Sequence, residues 1–296
     1  MTEKPIAVIG GMNMDIGGSA DGALRLRDSN PGTVTLRPGG VGRNIAHNLR
    51  LLGHPVRLLS AVGDDANGTA LLESCAALGI DVSMCLVRPR ERSSTYLYVT
   101  DDSGDMLLGI ADMAISDRIT PAVLEPLLPR LNDCAAAVVD ANLSEAALET
   151  LSAGLRIPLY ADPVSVAKAP RLRRLLPRLT ALKPNRLEAQ ALTGERDPER
   201  AARALLDAGV ERIFLSMGAE GLLAADREQT LRLPAVEAQA VNTTGAGDAA
   251  MAALVWAGVQ GLDLESSARA ALLAGAMTVA CREANTPRLG ELKKRL

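Results

Sequence analysis

Aromatic residues are almost missing from this sequence, which has one Phe, one Trp and three Tyr in 296 residues. A core without rings has to be filled by Ala, Leu, Val and Ile. Cysteine is sparse too. Cys75, Cys85, Cys134 and Cys281 are scattered, with no CxxC pair, so the expected state is free thiols in a reducing compartment. There is no basic run beyond Lys293-Lys294-Arg295, and the net charge is −3. That argues against a nucleic-acid polymer as the main partner and leaves the basic tail as a solvated helix end. No apolar run is long enough to span a bilayer, and residues 1–5 lack a signal-peptide pattern, so no membrane partner and a cytoplasmic location are expected. No Walker A motif occurs, which argues against a P-loop nucleotidase.

What is present is ordinary globular material, 48% hydrophobic and 23% charged. The length suits one α/β domain, with or without a lid. Short apolar runs at 5–9, 56–62, 135–139, 158–161, 213–216 and ending at Leu182 read as strands. Stretches 43–52, 67–78, 144–155 and 186–192 have helical spacing. Strand and helix alternate, which predicts a mostly parallel central sheet covered on both faces. Two segments break the rhythm. Residues 94–100 and 106–110 flank Asp101-Asp102-Ser103-Gly104 and predict a β-hairpin with polar faces. Residues 33–36 form another short β run. Together they predict a small inserted sheet, a candidate lid. Tyr96 and Tyr98, two apart, share one of its faces.

Polar residues cluster just after the strands, the edge where ligands bind in an open parallel sheet. Asn13 and Asp15 follow the first strand, and Asp140 and Asn142 another. Asp162, then Asn185 and Glu188, then Ser216 and Gly218 follow three more. Each alone is as easily a helix cap or loop residue, but convergence of five strand ends on one rim points to a site. Gly39-Gly40-Val41-Gly42-Arg43-Asn44 precedes a helix. Its glycines permit close backbone approach, and Asn44 in the first turn can both donate and accept hydrogen bonds to a sugar. His47, one turn on, reads as a packed helix residue; His54 has no assigned part. Ser216-Met217-Gly218-Ala219-Glu220-Gly221 could cradle phosphates.

The most telling segment is Thr243-Thr244-Gly245-Ala246-Gly247-Asp248, between a β segment at 231–241 and a small-residue helix at 249–259. Glycines at a helix start leave backbone N–H groups bare, which makes an anion site. Asp248 then sets a carboxylate beside the anion. That is unfavourable unless the carboxylate does chemistry, such as taking a proton from an attacking hydroxyl. Phosphoryl transfer to an alcohol fits both features. The loose dinucleotide fingerprint at 245–250 fails on context, because no βαβ unit continues after it.

These residues resemble the ribokinase-like family of carbohydrate and nucleoside kinases, the phosphofructokinase-B group. The early signature is residues 39–44 and the late one is 242–248. Asn185-Arg186-Leu187-Glu188 matches the family's Asn-x-x-Glu element, and 216–221 its nucleotide loop. The motifs occur in order over nearly the whole chain. Residues 28–32 running into 38–44, Asp162-Pro163-Val164-Ser165, and 182–189 resemble a nucleoside-specific branch.

The resemblance implies a three-layer α/β sandwich over residues 1–296, with lid segments at about 14–38 and 86–113. It implies ATP, with Asp248 as general base and residues Gly245, Ala246, Gly247 and Asp248 as an anion hole. The implied acceptor is the ribose 5′-hydroxyl of pseudouridine; another ribonucleoside, or ribose, is the alternative. Asn13, Asp15, Gly39, Gly40, Asn44 and Asn142 would bind the acceptor, and Ser29 and Asn30 on the lid would read the base. Asn185, Ser216, Gly218, Gly221, Gly245 and Gly247 would hold nucleotide. Asn185 and Glu188 would hold Mg2+ largely through water. A homodimer through the lid sheet is expected. The chain departs from the pattern at Asn242, often Asp, which puts a K+ site in doubt, and at Ala250, often Phe. A non-catalytic ligand sensor remains the alternative from another class.

Overall fold

Strands of four or five uninterrupted apolar residues can be buried on both faces, and that is where the chain puts them. The computed structural model describes residues 3–101 and 106–296. From the N-terminus, β1 (Ile6–Ile9) leads into β2 (Asn13–Ala20), β3 (Gly32–Gly39) and α1 (Val41–Leu51). Next come β4 (Val56–Leu59), β5 (Ala61–Gly63), α2 (Ala66–Ala77), β6 (Leu86–Arg88), β7 (Thr95–Thr100) and β8 (Met106–Asp112). Short helices α3 (Pro121–Leu124) and α4 (Leu128–Asn132) precede β9 (Ala136–Asp140), α5 (Glu145–Gly154), β10 (Leu159–Asp162) and β11 (Ala181–Leu182). The rest comprises α6 (Arg186–Thr193), α7 (Pro198–Asp207), β12 (Arg212–Ser216), β13 (Leu222–Ala225), β14 (Thr230–Leu233), α8 (Ala246–Val259) and α9 (Leu264–Val279).

The main sheet has eight strands in the order β14-β13-β12-β11-β10-β9-β1-β4. Pairing is parallel from β12 to β4 and antiparallel at β13 and β14. Alternation along β1 divides the core. Ile6 and Val8 join the cluster that includes α1, α8 and α9; Ala7 and Ile9 join the cluster that includes α3 to α7. The three-layer sandwich follows. The small residues of α8 let it lie inside rather than on the surface, with its middle residues buried all round. Phe214, the lone Phe, is fully buried on β12.

Helix starts are set by the sequence. Asp65, Ser144, Asp197 and Asp263 cap α2, α5, α7 and α9 with their side chains. The four cysteines are free; Cys75 and Cys134 are buried, Cys85 and Cys281 half-buried.

Several expectations are corrected. The run at 56–62 is two strands, because at Ser60 the chain leaves β1 and β5 pairs with β6 instead. The β segment at 231–241 stops at Leu233, since Pro234 has no N–H for the ladder. α8 begins at Ala246 rather than 249. β2 and β13 were not anticipated. The inserted sheet has four strands, β3-β2-β7-β8. Its turn residues Asp102, Ser103 and Gly104 lie outside the described residues. The hairpin faces are not both polar: Val34, Leu36, Leu97, Leu108 and Ile110 are exposed. Registers Ile16↔Leu36, Ile16↔Leu97 and Leu97↔Ile110 set these on one face. Asp15, Tyr96 and Tyr98 occupy the other, by the alternation of a strand.

Candidate active site

The carboxyl ends of β1, β9, β10, β11 and β12 lie side by side, and each carries a polar group. Asp140, last in β9, is buried. It accepts from Gly11 N at 2.8 Å and from Asn142 N at 2.9 Å. A side chain on Gly10 would start 2.4 Å from its Oδ2, and one on Gly11 would start 2.5 Å from Asn142 Nδ2. The glycines let the loop after β1 sit directly on these side chains. Burial pushes Asp140 up to about 6 against the two backbone hydrogen bonds.

That loop delivers β2. Asn13 Nδ2 donates to Asp15 Oδ1 at 2.6 Å. The Asp15 carboxylate covers Gly39, where any side chain would collide with it. Gly40 has φ +98 and also passes close to Met12 and Asn13, so glycine is required there for two reasons. Burial raises the Asp15 carboxyl, and Asn13 and Arg43 offset part of this. Tyr96 and Tyr98 share its face of the lid, in register with Asp15 and Gly17, their rings 5.9 Å apart.

α8 opens opposite. Gly245 at φ +82 is its N-cap, and no side chain satisfies the first turn. Gly245 packs on the Ala284 carbonyl, which leaves no room for a Cβ. Asp248 stands in this turn. Asn44 Nδ2, from the first turn of α1, donates to its Oδ2 at 2.9 Å. The Oδ1 of Asn44 is buried without a partner and is therefore free to accept. Burial first, then the Asp162 charge, pushes Asp248 up to about 7, against the Asn44 hydrogen bond and the Lys183 charge. A carboxylate that titrates near pH 7, bonded through one oxygen, beside helix N–H groups that no side chain caps, can take a proton from an alcohol.

Asn185 and Glu188 form a capping box at α6. Glu188 N donates to Asn185 Oδ1, and Asn185 N to Glu188 Oε2, each at 2.9 Å. One oxygen of each is engaged, so a hydrated cation reached through water suits them better than a directly bound one. Burial raises Glu188 as well. Ser216 bridges to Asn185 in parallel pairing. Gly218 takes φ +62 with open space around it, which suits a ligand loop, whereas Gly221 is glycine because it passes against the Leu233 carbonyl.

Ser29 and Asn30 are not brought to this crevice. They lie in the turn beyond the Ala20↔Gly32 pair, roughly 17 Å along β2 from Asp15 at about 3.3 Å per residue. The Asn30 amide closes its own turn, accepting from Arg25 N and donating to the Arg25 and Asp28 carbonyls.

Two lysines were not singled out from sequence. Lys183, directly after β11, is buried and paired to Asp162 at 3.1 Å. Lys168 donates to Asn142 Oδ1 at 2.5 Å. A lone lysine in a loop has no periodic signal; the only clue for Lys183 was its place after a buried strand and before Pro184. A groove of about 580 Å³ between β14 and α9 contains none of these groups, and chemistry rather than volume marks the site.

Comparison with known proteins shows the family and the fold. Residues 3–289 match the pfkB family of carbohydrate kinases. Pseudouridine kinase of Escherichia coli (strain K12) is 40% identical over 98% of this chain and 95% of its own. Guanosine-inosine kinase of Exiguobacterium acetylicum is 29% identical over 91% of each. The fold of Arabidopsis thaliana ribokinase, solved with ribose and ATP, superposes with a TM-score of 0.86 at 21% identity, over 99% of each chain. The chain therefore belongs to the pfkB carbohydrate kinase family and is an ATP-dependent phosphotransferase with a ribokinase-like fold.

Proposed function

We propose that this kinase phosphorylates the ribose 5′-hydroxyl of pseudouridine. The observation that carries the reading is Asp248, held by Asn44 in the uncapped first turn of α8 and raised to about 7. Asp248 takes the hydroxyl proton, and the N–H groups of residues 245–248 receive the negative charge that gathers on the phosphoryl oxygens. Asp15, positioned by Asn13, accepts from the vicinal ribose hydroxyls, and the free Oδ1 of Asn44 accepts a further one. Gly39 and Gly40 let the backbone approach the sugar. Ser216 and Gly218 line the nucleotide side. Mg2+, which neutralises phosphate charge when bound, fits Asn185 and Glu188 through water.

The choice of nucleoside rests on the 40% identical relative together with Lys168. Lys168 is half-buried, and Asn142 takes one of its three protons, leaving donors for a carbonyl of the base. Burial lowers its pKa, although Asp140 holds it up.

The Asn242 side chain favours a site that works without K+. Its Nδ2 already donates to the Arg282 carbonyl at 3.0 Å, and its Oδ1 accepts from Thr244 N at 2.9 Å. A carboxylate at this position would attract a cation to that carbonyl, whereas here a neutral amide occupies it and joins the two loops. The apolar lid face from β3 to β8 suits a second copy of the chain, because the opposite face carries Asp15 and both tyrosines.

The test is ATP-dependent transfer to pseudouridine, uridine, cytidine, inosine, adenosine and ribose with Mg2+. Preference for pseudouridine over uridine supports the reading. Preference for another acceptor keeps the mechanism and removes the substrate, and no transfer with ATP bound favours a sensor.

A further inference from the structure

The ion pair between Lys183 and Asp162 is almost wholly out of water: 6% and 5% of the two residues stay exposed. Replacing such a pair by apolar residues of similar volume is often neutral or stabilising, so its burial is weak evidence of a stabilising role. Its place is more telling. A side chain at Gly247 would begin 3.4 Å from Lys183 Nζ, so the ammonium faces the first turn of α8, whose N–H groups no side chain caps. Its charge reaches Glu188 and Asp248 as well as Asp162. Asp162 takes one of its three protons, which leaves donors for a ligand at the helix end. Asp140, Asp162, Asp248 and Glu188 would together repel a triphosphate, and Lys183 stands among them as the offsetting charge.

We propose that Lys183 is a catalytic residue whose ammonium bonds a non-bridging oxygen of the γ-phosphoryl group at residues 245–248 and stays with it through transfer. The inference rests on the proposed function. In the step, the acceptor O–H proton passes to Asp248 and the acceptor oxygen forms a bond to the γ-phosphorus. The bond from that phosphorus to the oxygen bridging to the β-phosphate breaks, and its electron pair leaves on ADP. Charge spreads over the three equatorial oxygens as this happens, and a fixed ammonium in a crevice stabilises it. Asp162 is then a positioning residue that keeps Lys183 charged and in place. A Cβ at Gly247 would stand in ordinary contact with the ammonium, beside the helix end.

Lys183→Met is tested first without an acceptor, by calorimetric titration of ATP and of ADP in the presence of Mg2+. ATP affinity is expected to fall about 10-fold, the size of one charge-assisted hydrogen bond, while ADP affinity stays within about 2-fold, since only ATP carries the γ-phosphate. Equal weakening of both nucleotides, or of neither, overturns the proposal. Lys183→Met leaves Asp162 buried and unpaired, so the double variant Asp162→Asn/Lys183→Met is measured beside it. The same selective loss of ATP in the double variant supports the proposal. Recovery of the parent's ATP-over-ADP preference shows a structural pair and sinks it. With an acceptor, turnover is expected to fall by about 10²–10³ at nearly constant acceptor KM. Selective ATP loss seen in a protein that transfers to no nucleoside rejects the proposed acceptor while still supporting Lys183 at the γ-phosphate.

Discussion

Asn44 and Asp248 are 204 residues apart in sequence and 2.9 Å apart in space, amide to carboxylate. The hydrogen bond ties the glycine-rich start of α1 to the glycine-rich start of α8. It engages Oδ2 of the carboxylate and leaves Oδ1 outside that bond. The two helices pack side by side in one cluster, so the pair is held by core packing as well as by its own bond.

Asp248→Asn should therefore keep the fold and lower turnover by about two to four decades. In the parent, the base works only when ionised, so the rate should rise with pH to a plateau just above the Asp248 value of about 7. Ligand-free stability should run the other way. The folded carboxyl keeps its proton up to about 7, whereas the unfolded one loses it near 3.8. The native state thus binds more protons between these values, and this contribution is lost as pH rises through them. Thermal melts should show Asp248→Asn gaining on the parent from pH 4 to 8. Asp140, raised to about 6 chiefly by burial, acts in the same direction in both proteins, and only the part of its effect that comes from its coupling to the Asp248 charge differs between them. A variant with normal turnover and an unchanged melt profile contradicts the assignment.

Lys168→Met should raise KM or lower kcat for pseudouridine by about 10-fold or more, the loss of one charge-assisted hydrogen bond, and leave transfer to free ribose unchanged. Ribose lacks the base, so steady-state kinetics with both acceptors separates base contact from general damage. An equal loss on both would place Lys168 in support of Asn142 rather than in contact with the base.

The sequence showed the strand ends well and the lid poorly, for physical reasons. Asp140 and Asp162 each close a short apolar run, and such a polar ending at a buried strand is visible in one dimension. β2 was hidden because Gly17 and Gly18 blur its alternation, and its burial is uneven. The apolar lid face was hidden because β8 is exposed along its whole length and sits at the edge, where its side chains answer to no core. The capping box at Asn185 and Glu188 was legible as a motif but ambiguous in role, since capping and cation binding use the same two side chains. Lys183 and Lys168 pair with Asp162 and Asn142, each well separated along the chain, and no local pattern announces that.

The lid face gives a prediction on assembly. Leu36 and Ile110 are exposed on one side of the small sheet, 59% and 61%. If a second copy covers them, Leu36→Asp with Ile110→Asp should turn a dimer into a monomer in sedimentation or light scattering. The main sheet is untouched, so the melt should shift little. A parent that is monomeric at tens of micromolar protein would remove the dimer.

Asn242 gives a prediction on the response to monovalent cations. The amide supplies a donor to the Arg282 carbonyl and an acceptor to Thr244 N, so the two loops beside α8 are joined without an ion. Swapping KCl for tetramethylammonium chloride at constant ionic strength should change turnover and ATP affinity by less than about 2-fold, because no charge-assisted contact is lost. Asn242→Asp should reverse this. The carboxylate cannot donate, so it would face the Arg282 carbonyl as a second acceptor, and a cation placed between them would relieve the repulsion. The variant should melt lower in tetramethylammonium than in K+, a readout that needs no acceptor. Strong activation of the parent by K+ would show that the amide does not stand in for the ion.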